Sequence, residues 1–181
     1  MWRVRRACCF MAMTEGCDFM AELFDMYDVN RKPLGHTHPR GVPIKAGEYH
    51  IVVQVCVLDK KGRLLLTKRH PEKILGGMWE VTAGSALAGE DSLAGAVREL
   101  SEETGLNVAR ESMRPLFTRT GEDFFLDCYI VRLDTDGDAL RLTMQEGETT
   151  EYIWADEETQ SRMETEGLLV PITGEARTYL E

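Results

Sequence analysis

The sequence predicts an α/β fold, with helices packed around a mixed sheet. Short apolar runs rich in β-branched residues recur along the chain, and a few stretches of helical period stand among them. No run approaches the roughly 20 apolar residues of a membrane span. With 181 residues, 43% of them hydrophobic, the chain can bury one sizeable core but not a second independent domain.

The segment ELFDMYDVNRKPLGHTHPRG reads as two short strands around the turn signal Asn30-Arg31-Lys32-Pro33. HIVVQVCVL (50–58) and RLLLTKR (63–69) then flank Asp59-Lys60-Lys61-Gly62 as a buried hairpin. Pro71, Gly76 and Gly77 mark HPEKILGGMW as a loop, and EVTAGS is a brief strand. A helix follows, with Asp91 or Ser92 as its N-cap and Gly105 as a left-handed stop after Thr104. RPLFTRTG, DFFLDCYIVRL, LRLTMQ and TEYIWA are further strands. Asp156 caps a helix running to about Glu166, and GEARTYLE forms a last helical turn.

The ends and the thiols set further bounds. MWRVRRACCFMAMTEGCDFM superficially resembles a secretory signal, but its apolar run is short and Glu15 and Asp18 soon follow. Residues 1–19 are expected to be an extension, either disordered or a start-site artefact upstream of Met20, and residues 20–181 a single domain. The five cysteines (Cys8, Cys9, Cys17, Cys56 and Cys128) are odd in number and show no C-x-x-C spacing. A reduced, cytoplasmic protein is expected, with Cys56 a core residue in VVQVCVL. The formal charge of −10 argues against a nucleic-acid polymer or an anionic membrane as partner. It permits a small phosphorylated ligand, provided that a bound cation supplies positive charge.

The helix after Asp91 carries the chemistry. Around a helix of 3.6 residues per turn Glu103 lies about 40° and Glu102 about 60° from Glu99, so the three share a face. Leu93, Val97 and Leu100 form a separate apolar stripe that docks the helix while the acids project into a cleft. Three neighbouring carboxylates repel unless a cation compensates, and Mg²⁺ takes oxygen ligands while bridging carboxylates to phosphates. The pattern therefore points to metal-assisted attack on a phosphoanhydride.

The stretch GSALAGEDSLAGAVRELSEETGL matches the Nudix box at every fixed position: Gly84, Glu90, Arg98-Glu99-Leu100, Glu102-Glu103 and Gly105-Leu106. A chance match in a chain of this length is on the order of one in ten million from average residue frequencies. The resemblance implies a Nudix-type α/β/α sandwich with a mixed β-sheet, and hydrolysis of a nucleoside diphosphate-linked small molecule with Mg²⁺ or Mn²⁺. It implies metal binding by Glu99, Glu102, Glu103 and the Gly84 carbonyl. Water would be activated by Glu99, Glu102 or an acid outside the box, with Arg98 organising the carboxylates through Glu102 or Glu90. Many members add an acid from a later loop. Here QEGETTE offers Glu146, Glu148 and Glu151, of which Glu148 is preferred. Lys68 or Arg69 could meet substrate phosphates, only one of them pointing inward by strand alternation, and Trp79 could stack on a substrate ring, although core packing is the commoner role of a Trp near a strand edge. A homodimer would be in keeping with the family.

The segments flanking the box resemble the Nudix branch similar to isopentenyl-diphosphate isomerase. The isomerase has a catalytic cysteine in a Thr-Asn-Thr-Cys-Cys-Ser-His stretch after a Trp, whereas Trp79 is followed by Glu80-Val81-Thr82-Ala83-Gly84-Ser85-Ala86. His36, His38 and His50 echo its metal ligands but lack the third partner. Hydrolysis is therefore ranked above isomerisation, and also above a non-catalytic nucleotide-binding regulator, which the intact box disfavours. Thr82-Ala83-Gly84 also departs from the Pro-Gly-Gly that often enters the box.

Overall fold

The computed structural model describes residues 22–180. The expected extension at 1–19 and Cys8, Cys9 and Cys17 lie outside the described residues. In chain order the strands are β1 (Leu23–Tyr27), β2 (Pro33–Pro39), β3 (His50–Leu58), β4 (Leu64–Arg69), β5 (Trp79–Glu80), β6 (Thr82–Ser85), β7 (Arg114–Thr120), β8 (Phe124–Arg132) and β9 (Thr149–Ala155). Helix α1 (Ser92–Thr104) lies between β6 and β7, and α2 (Glu157–Thr165) and α3 (Pro171–Arg177) follow β9.

β3 is the spine, with Val53, Val55, Cys56 and Val57 no more than 1% exposed. It runs parallel to β8 from His50↔Phe124 to Leu58↔Arg132, and antiparallel to β6 from Val52↔Ser85 to Val55↔Thr82. β7 extends the sheet beyond β8. Side-chain alternation divides β3 between two cores. Ile51, Val53, Val55 and Val57 pack with Ala96 and Leu100 of α1. On the other face, Cys56 and Leu58 pack with Cys128, Met163 of α2 and Ala176 of α3. The result is the α/β/α sandwich around a mixed sheet. Among the described residues no helix is long and apolar enough to cross a membrane.

Three sequence expectations need correction. The β3–β4 turn forms, with the Asp59 carboxylate accepting from the Lys61 and Arg63 amides at 2.9 Å, but Leu58↔Leu64 is the only register pair between the two strands. β4 then leaves to pair with β9 and β5, and β6 takes the vacated edge of β3. LRLTMQ (140–145) is no strand. Its Thr143 amide donates to the Thr104 carbonyl at 3.0 Å, so the segment closes the C-terminal end of α1, and that covering role explains its alternating burial. The last helix begins at Pro171, earlier than GEARTYLE suggests, because proline at the first helical position costs no hydrogen bond.

The β1–β2 hairpin lies outside the main sheet and is fastened to it at both ends. Arg31 Nη1 donates to Asp127 Oδ1 on β8 at 2.9 Å, and the Ala88 amide donates to the Leu23 carbonyl at 2.7 Å. Elsewhere, Gly137 approaches the Trp154 ring so closely that a Cβ would fall 2.3 Å from it. A fused ring cannot slide aside as a chain end can. Gly137→Ala is expected to destabilise the fold by about 1–3 kcal/mol, the usual cost of overpacking, read as a lower urea midpoint.

Candidate active site

Helix α1 starts where Asp91 accepts from the Ala94 amide at 2.8 Å and stops at Gly105, whose φ of 73° few other residues adopt without strain. Between these caps Leu100 is fully buried, while Leu93 and Val97 pack at the edge of the same core. This docking turns Glu99 and Glu103 inward, at 9% and 4% exposure, and leaves Glu102 at the rim.

The opposite wall is β6. Its preceding run is one short extended stretch shared between two partners: Trp79–Glu80 pair with β4, and Thr82–Ser85 with β3. Val81, fully buried, bridges the two. This carries Gly84 directly beneath Glu99, and a Cβ on Gly84 would lie 2.1–2.5 Å from the Glu99 carboxyl atoms. The glycine serves close approach here, not an unusual backbone angle.

Arg98 organises the cluster. Its Nε and Nη2 donate to the two Glu90 oxygens at 2.8 and 3.1 Å, and Nη2 also to the Ser85 carbonyl at 2.9 Å. Nη1 bridges Glu99 Oε1 at 3.0 Å and Glu102 Oε2 at 2.9 Å. One planar fork thus ties the loop before the helix, strand β6 and two of the three acids together.

Glu103 is different. Among the described residues its Oε2 is buried without a hydrogen-bond partner. Burial, then the nearby Glu80 and Glu99 carboxylates, push its carboxyl up to about 8. Burial also raises Glu99 and Glu80, although Arg98 and Arg69 respectively offset part of that rise. An orphaned acceptor among mutually repelling acids is a place for a cation. Every donor offered is oxygen, as a hard divalent ion requires. Among the described residues no three acidic, histidine or cysteine side chains already form a closed cage, and Glu99 and Glu102 instead face Arg98.

The cleft bringing these groups together is lined by Gly84, Arg98, Glu99, Glu102, Glu103 and Glu148, joined by Glu22, Arg40, Lys73, Ala83 and Gln145. Glu148 pairs with Lys73. Glu146 and Glu151 do not line the cleft, and Glu151 pairs instead with Lys68 at 2.9 Å. Lys68 and Trp79 are opposed in register, with the ammonium 5.6 Å from the ring centroid. Trp79 packs in the core beneath α2 and α3, so this pair sits on the sheet face away from the acids. Arg69 points the other way and is engaged by Glu80 at 2.6 Å and the Ile74 carbonyl at 2.8 Å. None of these three lines the cleft.

The cleft cations Arg40 and Lys73 and the rim acid Glu22 went unidentified in the sequence. Each stands on the hairpin or in the HPEKILGGMW loop, where charge without periodicity reads as surface. The histidines are elsewhere. His36 pairs with Glu48, His38 bonds the Val42 carbonyl, and His50 stacks on Phe24.

The family model for the NUDIX domain matches residues 48–166. An uncharacterised Nudix hydrolase of Listeria monocytogenes is 33% identical over 152 residues, covering 83% of this chain and 89% of that protein. The crystal structure of DR0079 from Deinococcus radiodurans superposes with a TM-score of 0.71 at 19% identity, over 88% of this chain and 100% of that one. A bifunctional NMN adenylyltransferase/ADP ribose pyrophosphatase of Francisella tularensis, crystallised with AMP and a manganese ion, gives 0.61 at 14% identity over 77% of this chain and 42% of its own. With the box on the acid-bearing helix and the family match covering most of the described residues, the chain belongs to the Nudix hydrolase family.

Proposed function

We propose that this protein hydrolyses a phosphoanhydride bond in a nucleoside diphosphate-linked or related small molecule, with Mg²⁺ or Mn²⁺. The observation that carries this reading is the partnerless, buried Glu103 Oε2 facing the same cleft as Glu99, Glu102 and the Gly84 backbone. Glu99, Glu102, Glu103, the Gly84 carbonyl and Glu148 would hold the metal. When bound, it would polarise the phosphorus and lower the pKa of a coordinated water.

The chain's own residues do the rest. Glu99 or Glu102 takes the water proton, each being already oriented by a single Arg98 nitrogen. Arg98 itself stays a positioning residue, because all its donating nitrogens are engaged by Glu90, Ser85, Glu99 and Glu102. The manganese in the Francisella enzyme's crystal, and the ADP-ribose pyrophosphatase in its name, support this metal and substrate class. A small-molecule substrate accords with the formal charge of −10, and a cytoplasmic setting with the free thiols of Cys56 and Cys128. The finer placement beside isopentenyl-diphosphate isomerase rests on flanking residues alone, and residues 80–86 lack the cysteine that isomerisation uses.

The test is release of phosphate or nucleotide product from a panel of diphosphates with Mg²⁺ or Mn²⁺. Isopentenyl diphosphate is included with a separate isomerisation readout. Metal-dependent cleavage that falls about 10²-fold or more in Glu102→Gln is expected for loss of a general base or metal ligand. Tight nucleotide binding without turnover would favour a regulator instead, and isomerisation without cleavage would overturn the hydrolase reading.

A further inference from the structure

Among the described residues acids outnumber cations five to three in the cleft, Glu22, Glu99, Glu102, Glu103 and Glu148 against Arg40, Lys73 and Arg98. A diphosphate needs a cation that can be given up to it, and the three differ in that respect. Arg98 is spent on the carboxylates and the Ser85 carbonyl, and redirecting it would dismantle the cluster. Arg40 is held by Glu22 at 2.9 Å and lies over the Phe24 ring, 5.6 Å from its centroid. Among the described residues Lys73 has a single carboxylate partner, Glu148.

The loop bearing Lys73 is firmly tethered. The His70 amide donates to the Glu148 carbonyl at 2.9 Å, Gly77 to the Arg69 carbonyl at 3.0 Å, and the Arg69 guanidinium to the Ile74 carbonyl at 2.8 Å. Gly76 packs so closely on Pro71 that a Cβ would fall 2.3 Å from its carbonyl oxygen. Lys73 is thus aimed into the cleft by a braced turn. Its ammonium is a compact charge that can exchange one oxygen partner for another without the directional demands of a guanidinium.

We propose that Lys73 is the residue that grips the substrate diphosphate, and that Glu148 holds it in reserve: when Glu148 turns its carboxylate to the divalent cation, Lys73 is released to a phosphate oxygen. This rests on the metal-dependent reading above. Its consequence is an order of events, metal before substrate, because until Glu148 turns away the diphosphate meets acids and an occupied lysine.

The test uses the whole chain, Mn²⁺ alone followed by electron paramagnetic resonance, and methylenediphosphonate as a non-hydrolysable diphosphate followed by calorimetry. The parent is expected to bind the diphosphonate at least ~10-fold more tightly with Mn²⁺ than without. Lys73→Met weakens that binding by about 10-fold while Mn²⁺ alone binds no less tightly, since Glu148 has lost its competitor. Lys73→Arg recovers part of the loss. Glu148→Gln, which frees Lys73 in advance, raises diphosphonate affinity in the absence of metal above that of the parent.

Unchanged diphosphonate binding in Lys73→Met overturns the proposal, as does no gain in Glu148→Gln. Equal loss of Mn²⁺ and diphosphonate binding in Lys73→Met shows a merely structural loop residue and overturns it too. A parent that binds no Mn²⁺ overturns the metal reading together with the exchange, whereas a parent that binds Mn²⁺ with indifferent variants overturns the exchange alone.

Discussion

Gly84→Ala is expected to cut turnover by about 10²-fold or more while the protein stays folded. The added Cβ would fall 2.1 Å from Glu99 Cδ, far inside van der Waals contact. What it meets is the end of a flexible side chain, so relief comes from displacing the Glu99 carboxylate, not from breaking the sheet. The stability cost should be about 1 kcal/mol, or ~2–4 °C in Tm for a domain of this size. The displaced carboxylate would leave Arg98 Nη1 and, with it, the metal site of the proposed function. An error of about 1 Å at a reacting centre can cost 10²-fold in rate, so kcat should fall by at least that. Thermal unfolding beside kcat for the diphosphate that the parent cleaves checks both halves, and Gly137→Ala, which meets a rigid ring, should show the opposite division. A Gly84→Ala protein of near-parental kcat would remove Glu99 from the mechanism.

The second large effect is a stability profile that runs against the usual direction for a carboxyl. Glu103 ionises near 8 in the folded protein and in the usual carboxylate range when unfolded. Between those values the folded chain holds the extra proton, so stability is fully present below the unfolded pKa and is lost as pH rises through about 8. At the extreme this is worth roughly 5 kcal/mol over the interval. Without metal, Tm should therefore fall by roughly 10 °C between pH 5 and pH 8. Under the proposed function Mg²⁺ would bind the ionised form, so its stabilisation and its apparent affinity should both grow across the same window. Glu103→Gln should flatten the metal-free profile and reduce metal affinity on the order of 10²-fold. A parent whose stability rises with pH through this window would show that Glu103 ionises like an exposed acid.

Much of this molecule was legible in one dimension because its signals are local. The apolar, β-branched run HIVVQVCVL, the Asp91 and Gly105 caps and the eight-residue offset between Glu90 and Arg98 all act over short stretches of chain, and each stands in the structure as read. The Nudix box is such a signal, since it folds on itself as loop and helix, with Arg98 closing it. LRLTMQ misled because alternation arises wherever one side of an extended segment is covered, whether by a neighbouring strand or by the end of a helix.

The sequence by itself determined the fold class, the acid-bearing helix, its start and stop, and the family. Only the tertiary structure decided which groups face those acids. Strand alternation required that one of Lys68 and Arg69 point inward, but the departure of β4 from β3 put Lys68 with Trp79 on the far side and committed Arg69 to Glu80. Tethering of the 70–78 loop and of the β1–β2 hairpin brought Lys73 and Arg40 across from residues distant in the chain. The physical reason is the same in each case: periodicity and capping are short-range, while ion pairing across a cleft depends on where the packing of two cores leaves each chain end.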